Sequence, residues 1–198
     1  MTPAQADHAR AVDNVEIPGT VEVPEGLGLD TPRLSDGGSL WRIAKDSRAL
    51  DLNSSYSYLL WCRDYASTSI VARDTSGEPV GFITGYLRPD APTTLLIWQV
   101  AVDHAQRGRG LAAAMLNALV HRTGEELGVT TIETTVTPDN TASNRLFAAF
   151  AARHGAEVRR EVLFDTEAFP ESGHQPEVLY RIGPIALPAV PEVAATAR

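Results

Sequence analysis

Apolar side chains recur at helical spacing in several stretches of the chain and crowd into short β-branched runs between them. Leu40, Trp41 and Ile43 mark a helix over 37–47, with Ser35-Asp36 placed to cap its start. Tyr56, Leu59, Leu60 and Arg63 mark a second over 55–65, opened by Asp51-Leu52-Asn53-Ser54. A third over 109–127 carries the stripe Leu111, Met115, Leu116, Leu119 and Val120 and stops at Gly128. The fourth begins at Asn140 or Thr141, turns Leu146, Phe147 and Phe150 inward, and stops at Gly155. Strands are predicted near 33–34, over 69–73 and 79–87, over 94–102, over 130–136, and near 157–164 and 177–182. Gly77 suits a hairpin turn within 74–78, and the prolines at 89 and 92 predict a break before the 94–102 strand.

That order, hairpin strands followed by strand-helix-strand-helix and two closing strands, predicts an α/β (mixed α+β) fold. Its mixed central sheet should have about six to seven strands with helices on both faces. Residues 1–30 and 184–198 follow neither period and read as disordered tails around a single domain over 31–183. The chain, 198 residues and 43% hydrophobic, can bury one sizeable core.

Charge narrows the partners. A net charge of −8 disfavours nucleic acid, whose phosphates demand a basic surface, and favours small cations. The single cysteine, Cys62, lies in the apolar run Leu59-Leu60-Trp61-Cys62 and reads as a buried thiol. It excludes an internal disulfide and a Cys-rich zinc site, and no metal is expected. No apolar run approaches membrane-spanning length and no secretory leader is evident, so no membrane partner and a cytoplasmic location are expected.

The strand 94–102 runs into Arg107-Gly108-Arg109-Gly110-Leu111-Ala112 and then a helix. Glycines at the turn let the backbone curl with positive φ and approach a ligand, while the first N–H groups of the helix point at it, an arrangement suited to phosphate. There is no Lys-Ser/Thr pair for a P-loop, and the glycine spacing misses the dinucleotide fingerprint. The run instead resembles the Arg/Gln-x-x-Gly-x-Gly/Ala signature of the GCN5-related N-acetyltransferases, which hold the pyrophosphate of acetyl-coenzyme A at this turn. By that resemblance Arg107, Gly108, Arg109, Gly110, Leu111 and Ala112 bind the pyrophosphate. Val100 offers a backbone N–H to the thioester carbonyl from a bulged strand, and Val102 lies beside the pantetheine. Asn140 and Asn144 are candidate pantetheine contacts, Asn140 equally an N-cap.

Further segments resemble the 2,4-diaminobutyrate acetyltransferases of ectoine synthesis, from about residue 30 to 182. They are Lys45-Asp46-Ser47, Leu50-Asp51-Leu52-Asn53-Ser54-Ser55-Tyr56-Ser57-Tyr58-Leu59-Leu60, Trp98-Gln99-Val100-Ala101-Val102-Asp103 and Thr137-Pro138-Asp139-Asn140-Thr141-Ala142-Ser143. This resemblance implies acetyl transfer from acetyl-coenzyme A to the γ-amine of L-2,4-diaminobutyrate by a homodimer that serves osmotic stress.

A diamino acid wants carboxylates, and Asp51 and Glu177 are the candidates; Tyr56 and Trp98 are candidate pocket walls. His174 has the intrinsic pKa of a proton relay. Many relatives place a proton-donating Tyr seven residues after an Asn like Asn140; here that position is Phe147, so another hydroxyl or a water must act. The alternatives are an acetyltransferase for another small amine, a non-catalytic acetyl-coenzyme A binder, and, weakest, a nucleic-acid module resting on Arg107 and Arg109.

Overall fold

Alternating apolar residues in the β-branched runs and apolar stripes on the helices need opposite partners, and the chain satisfies both by sandwiching one sheet between helices. The computed structural model describes residues 21–48, 50–170 and 173–186. The elements are β1 (Gly28–Asp30), α1 (Gly37–Ser47), α2 (Ser55–Asp64), β2 (Ile70–Arg73), β3 (Pro79–Arg88), β4 (Ala91–Val102) and α3 (Leu111–Leu127). There follow β5 (Thr131–Val136), α4 (Thr141–His154), β6 (Val158–Phe164) and β7 (Glu177–Ile182). Among the described residues they form a seven-stranded sheet in the order β1-β2-β3-β4-β5-β7-β6. Only β4 and β5 pair in parallel, joined through α3; the other neighbours are antiparallel.

On one face Leu111, Met115, Leu116, Leu119 and Val120 of α3 join Phe147 and Phe150 of α4 over Ile70, Leu95, Ile97 and Ile132. Each such side chain contributes about 1.5–3 kcal/mol by leaving water. On the other face Leu40, Ile43 and Ala44 of α1 and Tyr58 and Cys62 of α2 pack on Val71, Phe82 and Ala101. Burial pushes the Cys62 thiol up to about 11, with Asp36 adding to the shift, so it behaves as a core side chain.

Three local expectations are corrected. The first strand is Gly28–Asp30, inside the expected tail, and residues 34–36 form a 3-10 turn. The reason is ionic: Arg73 donates to both carboxylate oxygens of Asp36, at 3.0 and 2.7 Å, and to Asp30 at 3.2 Å, which fastens this segment to β2. Asp36 is therefore engaged with Arg73 and caps no α1 amide with its side chain. The break expected at 89–92 is a tight turn instead. Ala91 already pairs with Arg88, and Pro92 sits in a bulge before Leu95 rejoins Leu87, where a missing N–H costs no ladder bond. At the other end Ile185 is buried and its N–H donates to Thr130 O at 2.8 Å, so packing runs past 183. Residues 1–20 and 187–198 of the expected tails lie outside the described residues.

Candidate active site

The site begins with an irregularity in β4. Ile83 pairs with Val100, Thr84 with Gln99 and Gly85 with Ile97, so Trp98 has no partner in β3 and is the extra residue of a bulge. A bulge in this strand was expected, with Val100 supplying the freed backbone N–H; the extra residue itself is Trp98, two residues before Val100. A side chain at Gly85 would bring a Cβ within 2.6 Å of Leu96 O, so the strands close here only around glycine. The parallel ladder to β5 ends at Ile97, opposite Thr134. Beyond it β4 and β5 separate, and Val100 and Val102 lie past the last β5 partner. Side chains on β4 also change faces across the bulge: Leu95 and Ile97 face α3 and α4, Gln99 and Ala101 face α1 and α2.

The resulting opening is a cleft of about 660 Å³. Val100 and Val102 line one wall, Arg107, Gly108, Gly110, Leu111 and Ala112 the end, and Asn140 and Ser143 the opposite side. Asp103 caps the short turn 104–106 by accepting the Ala105 N–H at 3.3 Å and takes an Arg42 hydrogen bond at 2.9 Å. That bond holds the Asp103 carboxyl below the ordinary range against the effect of burial. Gly108 and Gly110 follow with φ of 76° and 80°, and a Cβ on either would meet no protein atom. What a side chain would cost at Gly110 is thus backbone strain and lost approach by a ligand, because this residue is the N-cap of α3.

Most predicted cofactor residues converge here, with two exceptions. The guanidinium of Arg109 donates to Gln106 and, at 2.7 Å, to Glu25 O, and the residue is absent from the cleft lining. Asn144 is also outside it; its amide donates to Thr137 O at 3.3 Å and its carbonyl oxygen accepts the Tyr180 hydroxyl, which ties α4 to the segment after β5 and to β7. Asn140 has both predicted roles open to it: it accepts the Ser143 N–H at 3.1 Å as the α4 N-cap and borders the cleft. Phe147 is buried in the α4 core and has no hydroxyl to offer.

A second cleft of about 410 Å³ adjoins the first, sharing Leu50 and Asn140 with it. Four of the predicted substrate-side residues, Asp51, Trp98, His174 and Glu177, line it together from three separate stretches of chain. The fifth does not: Tyr56 is 64% exposed and outside the lining, because it sits on the outer face of α2. Ser54, rather than Asp51, occupies the α2 N-cap position, so Asp51 belongs to the cleft rim and not to the helix end. His174 stacks on Phe169 with ring centroids 3.6 Å apart, and its Nδ1 lies 2.6 Å from Gln175 O. A carbonyl only accepts, so Nδ1 carries the proton and Nε2 of the neutral ring keeps its lone pair.

Sequence reading missed Asn53, Gln99, Thr135, Thr137 and Asp139 on the walls of this cleft. Gln99 had a signal, a polar residue inside the apolar run of β4; the others had none, since they come together only through the sheet. Among the described residues no group of three His, Cys, Asp or Glu stands ready for a metal, and no helix is long and apolar enough to cross a membrane.

Comparison with known proteins agrees with this geometry. Residues 39–151 match the Acetyltransferase (GNAT) family. The chain is 64% identical to an L-2,4-diaminobutyric acid acetyltransferase of Streptomyces avermitilis over 84% of its length and 93% of that protein. It is 65% identical to the same-named protein of Streptomyces coelicolor over 81% of its length and 94% of that protein. A solved diaminobutyrate acetyltransferase from Paenibacillus lautus, in complex with L-2,4-diaminobutyric acid and coenzyme A, superposes with a TM-score of 0.76 at 37% identity, covering 83% of this chain and 98% of that one. The chain belongs to the Acetyltransferase (GNAT) family and, within it, to the L-2,4-diaminobutyric acid acetyltransferases.

Proposed function

We propose that this chain transfers the acetyl group of acetyl-coenzyme A to the γ-amine of L-2,4-diaminobutyrate, giving N-γ-acetyl-diaminobutyrate for the synthesis of ectoine. The observation that carries the reading is the junction of two unlike clefts at Leu50 and Asn140: one ends on the glycine turn and the α3 N-terminus, the other holds Asp51 and Glu177. The residues fit the donor. Open space at Gly108 and Gly110 and the first N–H groups of α3, which have no intrahelical acceptor and no N-cap side chain, suit a pyrophosphate, and Arg107 adds positive charge.

The thioester supplies an activated acetyl group. The neutral γ-amine forms the new C–N bond, the C–S bond breaks, the amine loses a proton and the thiolate gains one. The backbone of β4 beyond the bulge, at Val100, stabilises the charge on the carbonyl oxygen. His174 Nε2 accepts the proton of the amine, directly or through water. Asp51 and Glu177 hold the α-ammonium and orient the diamino acid against Trp98. A carboxylate beside the reacting amine would keep it protonated, so the two anchor the other end.

The test is to incubate the enzyme with acetyl-coenzyme A and diaminobutyrate, follow free thiol, and locate the acetyl group by NMR. Acetylation at the α-nitrogen would refute the regiochemistry, and absence of thiol release would leave a coenzyme A binder. In the same reading the chain acts as a cytoplasmic homodimer in cells meeting osmotic stress. Support for the dimer comes from β6, an edge strand exposing Val162, Leu163 and Phe164. A monomer mass in sedimentation would refute it.

A further inference from the structure

The loop that carries Asp51 is short, exposed at Asp51, Leu52 and Ser54, and spans the gap between α1 and α2 at the mouth of the second cleft. An exposed loop by itself gives a carboxylate no fixed position. Two buried residues on other elements supply one. Gln99, the residue after the β4 bulge, donates from Nε2 to Asp51 O at 3.1 Å. Its Oε1 accepts the hydroxyl of Tyr58 at 3.1 Å. The amide cannot turn over, because a flipped Gln99 would set its oxygen against the carbonyl of Asp51. Tyr58 is fully buried in α2, edge-on to Phe82 with ring centroids 6.1 Å apart, and does not line the cleft. Burial raises the pKa of this phenol, so it stays a neutral hydroxyl that donates to Gln99.

We infer that Tyr58 and Gln99 are positioning residues: together they fasten the Asp51–Asn53 loop to β4 and so fix the Asp51 carboxylate at the diamino-acid end of the site. The inference rests on the assignment of Asp51 to substrate ammonium binding. It also explains the bulge at Trp98, which turns the Gln99 side chain toward α2; without the extra residue Gln99 would face α3 and the loop would lose its tie.

The experiment uses the full chain and four variants: Tyr58→Phe, Gln99→Glu, Asp51→Asn, and Tyr58→Phe combined with Asp51→Asn. Tyr58→Phe keeps the ring and removes one buried hydrogen bond, so the KM for diaminobutyrate should rise about three- to tenfold, while kcat stays within about twofold and coenzyme A affinity by calorimetry is unchanged. Gln99→Glu keeps the acceptor for Tyr58 but loses the donor to Asp51 O, and should raise KM at least as much. In the combined variant Tyr58→Phe should add less than about twofold to Asp51→Asn, since both remove the same service. Unchanged KM in both Tyr58→Phe and Gln99→Glu, with Asp51→Asn impaired, overturns the inference and leaves the substrate site standing. Full additivity in the combined variant also overturns it. Silence of Asp51→Asn overturns the substrate assignment itself, and the anchor with it.

Discussion

The two clefts meet at Leu50 and Asn140 yet are built from different materials. The first is lined mostly by main chain and small or apolar residues, Val100 and Val102 on a splayed strand, then Gly108, Gly110, Leu111 and Ala112 at a helix start, with Arg107 and Asn140 at its polar edge. The second is lined by functional side chains, Asp51, Trp98, Gln99, His174 and Glu177, drawn from a loop, β4, the segment after β6, and β7. An anionic cofactor handle can be held by oriented N–H groups, which every residue supplies once the backbone has the right path. A small diamino acid has to be recognised by charge and shape at particular points, which only side chains provide. The first cleft should therefore fail when the backbone path is disturbed, and the second when single charges are removed.

Gly110→Val tests the first half of that contrast and should have the largest effect. A β-branched residue at a φ of 80° is strained by about 1–3 kcal/mol, and the misplaced turn loses charged hydrogen bonds to phosphate worth about 1.5–3 kcal/mol. Coenzyme A affinity should fall by about 100-fold or more in calorimetry, and normal affinity would remove the glycine turn from the site. The second cleft answers to charge. Asp51→Asn and Glu177→Gln keep shape, and each should lower kcat/KM for diaminobutyrate by about 10- to 150-fold, the equivalent of about 1.5–3 kcal/mol. Coenzyme A should bind both variants as it binds the parent chain. If either variant loses coenzyme A affinity in parallel, the two clefts are not separable and the contrast breaks.

Smaller effects sharpen the boundary. Phe147 stands where many relatives carry a proton-donating Tyr, but here it is 1% exposed within the core. Phe147→Tyr should change kcat by less than about twofold, while the unpaired buried hydroxyl costs about 1–3 kcal/mol in denaturant unfolding. A large gain in kcat would show that the position still reaches the thiol. Arg42→Gln should matter least. Arg42 is half exposed, so its bond to Asp103 is worth about 0.2–1 kcal/mol. Its pH dependence has a definite sign. Arg42 lowers the Asp103 pKa, so the stabilisation is present above the unfolded-state value and is lost as pH falls through the folded value. The variant should narrow the stability difference between neutral and acidic solution, and an unchanged acid limb in thermal unfolding would show that the pair contributes nothing.

The sequence by itself determined the four helices, the succession of the central strands along the chain and the glycine turn, because those follow from local periodicity and from residues adjacent in the chain. Gly128 and Gly155 end α3 and α4 as expected from the sequence, each with positive φ. It also marked Asp51, Trp98, His174 and Glu177, through resemblance and charge. Only the tertiary structure decided the rest. The first strand moved to Gly28–Asp30 because Arg73, 43 residues beyond Asp30 and 37 beyond Asp36, holds both. The bulge residue, Trp98, was not readable because its place is set by the register of β4 against β3 rather than by β4 itself. Tyr56 and Tyr58 lie two apart on one helix, yet one faces outward and the other is fully buried against Gln99. Helical phase against a sheet decides that, and a list of apolar positions does not contain the sheet. Local sequence fixes which conformation a segment prefers, while long-range pairing fixes which of its side chains meet, and a site made from four segments depends on the second.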